Sequence, residues 1–287
     1  MRMRSDERGA ALFAVLGLVA LLAGFAALGL SQLRAATDAG VAAEARGQAR
    51  VLAQSAMLAA RQQLAAQILA TRRSPGRLFA PRAMALPEGG MTVQLGDGGN
   101  CFNLNSLAGD ADRPEAAAFA RLLGAIGVAE GEARRLAAAT AAWASGTVLR
   151  ADPSEWAAVA GVTPALYGRL APMLCTLPDR QLAALNVNTL VPEAVPLLVA
   201  YGFAAEGAAR AVAARPAQGY DSIVSFWQAA TPNGMQPGGL AGSAAGLVTR
   251  WYRLDVTVRL RGETVRQVAL LDSGVTPART VSLSWSV

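Results

Sequence analysis

Few side chains in this sequence could do chemistry. The candidates are two cysteines, Cys101 and Cys175, and two close carboxylate pairs, Asp110/Asp112 and Glu130/Glu132. Paired carboxylates can share acid and base duties or bind a hard cation. Calcium, however, takes about six to eight oxygens, and neither pair has the spacing of a calcium loop. They read as solvated loop or first-turn acids. An isolated cysteine pair in an extracytoplasmic domain is a disulfide candidate, and closing a loop of this length stabilises by roughly 4 kcal/mol in the chain-entropy picture. Two buried free thiols are the alternative.

The missing residues narrow the chemistry further. The 287 residues include no histidine, and all 26 basic residues are arginine. That excludes a histidine base, a Ser-His-Asp triad and histidine metal ligands. It also excludes a Schiff-base lysine, a Ser-Lys dyad and a phosphate-loop lysine. No catalytic residue, metal ligand or cofactor is assigned, and the expectation is a protein that is not an enzyme. The formal charge is +6. Arg2, Arg4 and Arg8 of that charge precede an apolar run, where topology explains them. The other arginines are scattered, as on solvated faces rather than a nucleic-acid surface.

The elements that would position these groups begin with a polar, basic leader, residues 1–9, ending at Gly9. Twenty-one residues without a charge follow, from Ala10 to Leu30, and at 1.5 Å rise per residue they span roughly 30 Å, a bilayer's hydrocarbon core. A cleaved signal peptide ending near Ala35-Ala36-Thr37 is the competing reading, but the run is too long and the helical pattern continues through it. Helical composition persists to Arg73, with Met57, Leu64 and Ile68 on one face and Ala60 and Ala65 beside them. Ser74-Pro75-Gly76 then stops the helix. The spacing predicts one helix of about sixty residues.

After an irregular stretch from Arg77 to Gly90, residues 91–95 and 100–104 read as a β-hairpin around Gly96-Asp97-Gly98-Gly99. The middle, roughly 105–245, is helical and repeats itself. Asn103-Leu104-Asn105-Ser106 is followed by a helix ending near Gly127; Asn186-Val187-Asn188-Thr189 is followed by one ending near Gly202. In each copy the Asn and Ser/Thr side chains are expected to cap the next helix, the glycine to end it, and a second helix to follow. Asp152-Pro153, Thr163-Pro164 and Asp221-Ser222 mark further helix starts. Trp143, Trp156, Trp227 and Tyr220 are expected in the core. Residues 232–239 read as a linker. Strands return at 251–260, 264–271 and 280–287. The fold class is therefore α+β, an antiparallel sheet split in sequence by a helical insertion.

The glycine-terminated leader, the anchor continuing as a long helix, Cys101-Phe-Asn-Leu-Asn-Ser-Leu107 and Leu185-Asn-Val-Asn-Thr-Leu190 together resemble the K-type minor pseudopilins of type II secretion systems, the general secretion pathway protein K family. The resemblance covers nearly the whole chain. It implies a pilin-like fold, a long N-terminal helix packed on an antiparallel sheet, with a large inserted all-helical domain. The implied segments are a prepilin leader 1–9, a transmembrane part 10–33, the rest of the helix and first strands 34–104, an inserted domain 105–245 with two related helical hairpins, and terminal strands 246–287.

It also implies cleavage by a prepilin peptidase after Gly9 and methylation at Ala10. The implied partners are I-type and J-type minor pseudopilins and an inner-membrane assembly platform. The implied role is to cap the pseudopilus tip and help initiate it, supporting export of folded proteins across the outer membrane. The chain would be single-pass in the bacterial inner membrane, with a cytoplasmic N-terminus and a periplasmic C-terminal domain. Ala14 stands fifth after Gly9, where most pilin-like proteins carry glutamate, and K-type proteins lack it. The family's calcium-associated acidic segments correspond to Ala142-Trp143-Ala144-Ser145 and Ala151-Asp152-Pro153-Ser154-Glu155. These are depleted in carboxylates, so no metal site carries over. Read without the resemblance, the Asn-x-Asn units leave an exported helix-hairpin-helix DNA-binding protein as the alternative. Apolar Tyr201-Gly202-Phe203-Ala204 weakens it.

Overall fold

The computed structural model describes residues 5–71, 76–110, 112–231 and 238–286. The start of the leader, the Ser74-Pro75 helix stop and most of the 232–239 linker fall outside the described residues. Helix α1 (Ser5–Ala70) runs for 66 residues, as a segment free of proline permits. It is long and apolar enough to cross a membrane, and the apolar side chains of that segment are uncovered, Leu12 by 61% and Phe13 by 79%. Further along, Ala45, Ala49, Ala53, Met57 and Leu64 are buried, with Ala60 and Ile68 packed at their margin. Steps of four and seven residues keep this stripe on one face, and the small alanines bring the helix backbone close to what it covers.

A short helix, α2 (Gly76–Phe79), leads into β1 (Arg82–Leu86) and β2 (Gly89–Asp97). These two strands form an antiparallel hairpin, from Arg82↔Val93 to Leu86↔Gly89. The stretch 77–90, expected to be irregular, thus holds a helical turn and a strand. The hairpin predicted between 91–95 and 100–104 is not formed. After Asp97 the chain turns away, because its Oδ1 accepts from the Gly99 and Asn100 amides at 2.8 and 3.2 Å. Cys101 to Ala108 then bury themselves in the helical part instead. Alternation marked that segment as extended, but its pairing partner lies about seventy residues on and is not visible to local pattern.

The helical part lies between β2 and the later strands. Its first unit contains β3 (Phe102–Asn103), α3 (Pro114–Ala125), α4 (Glu130–Ala144), α5 (Pro164–Leu170) and β4 (Leu174–Cys175). The second contains β5 (Leu185–Asn186), α6 (Val195–Tyr201), α7 (Ala205–Ala213), α8 (Ile223–Ala230), α9 (Leu240–Ala244) and β6 (Ala245–Gly246). Each unit opens and closes on a short parallel strand pair, β3 with β4 and β5 with β6. Gly127 (φ 89°) and Gly202 (φ 111°) end α3 and α6 in the left-handed region, as the repeat predicted. Thr163 and Ser222 cap α5 and α8, whereas Asp152 caps a 3-10 turn, residues Pro153–Ala158. One core joins both units, with Trp156, Phe119 and Phe226 wholly buried. Tyr220 is also buried in it, while Trp143 and Trp227 lie at its margin.

Strands β7 (Trp251–Leu260), β8 (Glu263–Asp272) and β9 (Arg279–Ser286) complete a sheet of order β1-β2-β7-β8-β9 with every pair antiparallel. Tyr252, Leu254, Val256, Val258 and Leu260 face α1 with Val265, Ala269 and Leu271, forming a second core apart from the helical one. Arg253, Asp255, Thr257 and Arg259 alternate to the other face, the period-two pattern of a half-buried strand. Arg46 of α1 pairs with Glu263 at 3.3 Å. The β7–β8 turn is therefore at the end of the sheet nearer the apolar span. Asp97 and Trp251, where the helical part leaves and rejoins, are at the far end.

Packing of α7 on α8 depends on Gly207, where an added Cβ would lie 2.0 Å from the Ala230 carbonyl oxygen. Gly207→Ala is expected to destabilise by about 2–3 kcal/mol through overpacking. Gly124→Ala, on an open face of α3, should be neutral or stabilise by up to about 1 kcal/mol. Denaturant unfolding of both variants distinguishes the two outcomes.

Candidate functional site

The Asn-x-Asn segments, singled out as helix caps, become the joints of the helical part. In the first unit Asn105 donates from Nδ2 to the Arg150 carbonyl at 3.0 Å and accepts the Arg150 amide on Oδ1 at 2.8 Å. In the second unit Asn188 does the same with Tyr220, at 3.1 and 2.7 Å. A side-chain amide thus pairs with both backbone groups of one distant residue, as a neighbouring strand would. The first asparagine of each unit accepts the amide two residues on, Asn105 at 3.2 Å and Asn188 at 3.1 Å. Ser106 donates back to the carbonyl of Asn103 at 2.6 Å, whereas Thr189 Oγ1 only lies near the Asn186 carbonyl, at 3.2 Å. The capping expectation is corrected in one respect: these side chains stabilise short turns and long-range joints rather than the following α-helix.

The two units differ in what their first asparagine reaches. Asn103 donates to the carbonyls of Asp179 and Gln181, both at 2.9 Å, and receives the Leu177 amide at 2.9 Å. It ties the first unit to the connector leading to the second. Asn186 donates to Asp97 Oδ2 at 3.0 Å, and Thr189 donates to the same oxygen at 2.7 Å. Asn100 completes the joint, accepting the Asn186 amide at 2.7 Å and donating to Thr189 Oγ1 at 2.9 Å. Asp97 therefore fastens the sheet to the helical part through Oδ2, while Oδ1 holds the turn by which the chain leaves the sheet. The sequence offered no sign of Asp97, because a lone Asp in a Gly-rich stretch resembles any turn residue.

Cys101, just before β3, and Cys175, in β4, are joined by a disulfide with Cα atoms 5.7 Å apart. The carboxylate pairs are not brought together. Asp110 and Asp112 are exposed, and Glu130 and Glu132 pair with Arg134 and Arg135. Among the described residues no three His, Cys, Asp or Glu side chains group as a metal site. At the helical-hairpin loops, the Gly127 and Val128 amides bond to Gly124 and Leu123, and those of Gly202 and Phe203 bond to Val199 and Leu198. These amides end helices and are not presented to a phosphate, and Tyr201 and Phe203 are buried. Burial pushes the Tyr201 phenol up from its ordinary value; its hydroxyl donates to the Ala183 carbonyl at 2.8 Å. Gly9 and Ala10 lie within α1, with side chains outside the described residues.

Two family models, both described as type II secretion system (T2SS) protein K, match residues 100–179 and 185–249, which are the first and second helical units. The chain belongs to the type II secretion system protein K family. It is 28% identical to the protein K of Pectobacterium carotovorum subsp. carotovorum over 94% of this chain and 93% of that protein. With protein K of Klebsiella pneumoniae it is 31% identical over 50% of this chain and 54% of that protein. Its fold matches a chain in the crystal structure of the GspK-GspI-GspJ complex from enterotoxigenic Escherichia coli, with a TM-score of 0.70 and 20% identity over 85% of this chain and 98% of that one. The chain is thus a minor pseudopilin of a type II secretion system, with a pilin-like module and a helical insertion.

A second charged joint closes the far end of the sheet. Asp272, 1% exposed, is held by Arg250 through two bonds of 2.7 and 2.8 Å and by Arg279 at 3.1 Å. The Arg250 hydrogen bonds, against the cost of burial, hold its carboxyl down at about 2. Since the folded value lies below the ordinary 3.8, this stabilisation is full above about pH 4 and is lost as pH falls towards 2. Asp272→Asn should remove that acid dependence and cost about 2 kcal/mol at neutral pH, read from unfolding curves across pH 2–7. Asn105→Ala and Asn188→Ala should each cost about 2 kcal/mol, by similar amounts, because each strands one residue's amide and carbonyl.

Proposed function

We propose that this minor pseudopilin caps the tip of the pseudopilus and helps initiate its assembly, bound to I-type and J-type minor pseudopilins. The observation that carries the reading is where the helical part sits. The apolar span of α1 and the Arg46–Glu263 pair orient the sheet, and the helical part crowns the end farthest from the span. A subunit with this mass on its outer end has no free upper surface for another pilin-like module. Ala14 agrees with this. A carboxylate in a bilayer is costly without a partner, and a leading subunit has no subunit ahead of it to supply one.

In this reading the span of α1 lies in the bacterial inner membrane, with the basic leader cytoplasmic and the sheet and helical part periplasmic. A prepilin peptidase cleaves between Gly9 and Ala10, the new amino terminus is methylated, and the subunit engages the inner-membrane assembly platform. Cys101 and Cys175 stay oxidised in that compartment. The protein acts by assembly and not by catalysis, in support of the export of folded proteins across the outer membrane. Mass spectrometry of the mature chain is expected to show Ala10 as a methylated first residue and the loss of two hydrogens at the cysteines. An intact Met1 or cleavage near Ala36 would overturn the processing, and two free thiols would overturn the disulfide. Co-expression with the I-type and J-type proteins of the same system is expected to yield a stoichiometric complex.

A further inference from the structure

The sheet has two outer strands, β1 and β9, and they are built differently. β1 is 5 residues long, starts with Arg82, and lies between Pro81 and Pro87. Charge and proline of this kind blunt a sheet edge against further pairing. β9 is 8 residues long; its opening Arg279 is held by Asp272, and from Thr280 to Ser286 it holds neither charge nor proline. One side of β9 is paired with β8, from Asp272↔Arg279 to Arg266↔Ser286. In such a pair the remaining N–H and C=O groups alternate outward, and Ser282 to Ser286 are exposed.

The side chains of β9 show which face a partner would cover. Leu283 and Trp285 stand opposite Ala269 and Gln267, and residues opposed in register share a face. That is the face carrying α1. The helix packs over β7 and β8, however, and leaves Leu283 49% and Trp285 37% exposed. Beside them Gln267 is 2% exposed, and its Oε1 accepts no hydrogen bond. A buried acceptor without a donor is rare in a finished structure. Here it adjoins the open strand.

We propose that β9 is a docking edge that takes an extended, uncharged strand from a second membrane-anchored subunit of different sequence. The strand's backbone continues the sheet, and its apolar side chains cover Leu283 and Trp285. This rests on the assembly role proposed above and names one surface through which it is exercised. A second copy of this chain does not fit. Antiparallel β9 pairing about an axis normal to the sheet would reverse the second copy's α1 and carry its span away from the bilayer. Parallel pairing about an axis along the strands would set Ser282, Ser284 and Ser286 of one copy beside Leu283 and Trp285 of the other. A different chain, with an apolar residue on the α1-facing side of its own edge strand, meets neither obstacle.

The test is amide hydrogen exchange on the full chain in detergent, alone and in complex with the I-type and J-type minor pseudopilins of the same system. Exchange across residues 280–286 is expected to slow at least tenfold on complex formation. Trp285→Lys should lower recovery of the partners at least tenfold, whereas Thr92→Lys on the exposed opposite face should leave it unchanged. If the complex forms with β9 exchange unaltered, the docking edge is wrong while the assembly role stands. If no complex forms, both fall. Protection of β9 that appears with rising concentration of this chain alone would make the occupant a second copy and overturn the proposal.

Discussion

The structure depends on one helix satisfying two different surroundings in succession. Over its first part α1 presents apolar side chains all round that the rest of the chain leaves uncovered. Over its second part it keeps a narrow stripe, Ala45, Ala49, Ala53, Met57 and Leu64, which only the sheet covers. Because the helix does not break between them, the direction of the apolar span fixes the direction of the sheet. The small stripe lets the strands approach closely, so the alternating apolar residues of β7 and β8 meet the helix backbone rather than bulky side chains. Everything beyond the sheet inherits its orientation from this packing.

The helical part solves a different problem. Its helices are short and rich in alanine, so their own propensity and buried area are modest. The two units gain rigidity from asparagine side chains that imitate strand pairing, Asn105 with Arg150 and Asn188 with Tyr220. Each bond contributes little net, but each leaves a stranded polar group if lost. The Asp97 joint then makes the second unit part of the sheet's far end. With Asp272 and its two arginines beside it, that end is held by charge, whereas the middle of the sheet is held by apolar burial.

Glu130 and Glu132 pair with arginines, and Asp97 holds a turn and a joint. The amides at the helical-hairpin loops end their own helices. Among the described residues, the surface left open includes the uncovered span of α1 and the outer strand β9, uncharged from Thr280 to Ser286. Surface of that kind is satisfied by other chains.

Local and periodic features were legible in the sequence by itself. The unbroken helix followed from the missing prolines, the terminal strands from alternation, the repeat from Asn-x-Asn-[Ser/Thr], and the ends of α3 and α6 from Gly127 and Gly202. All of these depend on neighbours a few residues away. The pairings that join distant segments were decided only by tertiary structure. Met91 to Leu104 looked like one hairpin, yet β2 pairs with β1 and β7 while Phe102 pairs with Leu174. Strand alternation says which face is buried but not against which strand. In the same way Asp97 and Gln267 carry no local mark, since a carboxylate becomes a joint, or an amide an orphan, only when the fold decides which donors stand beside it.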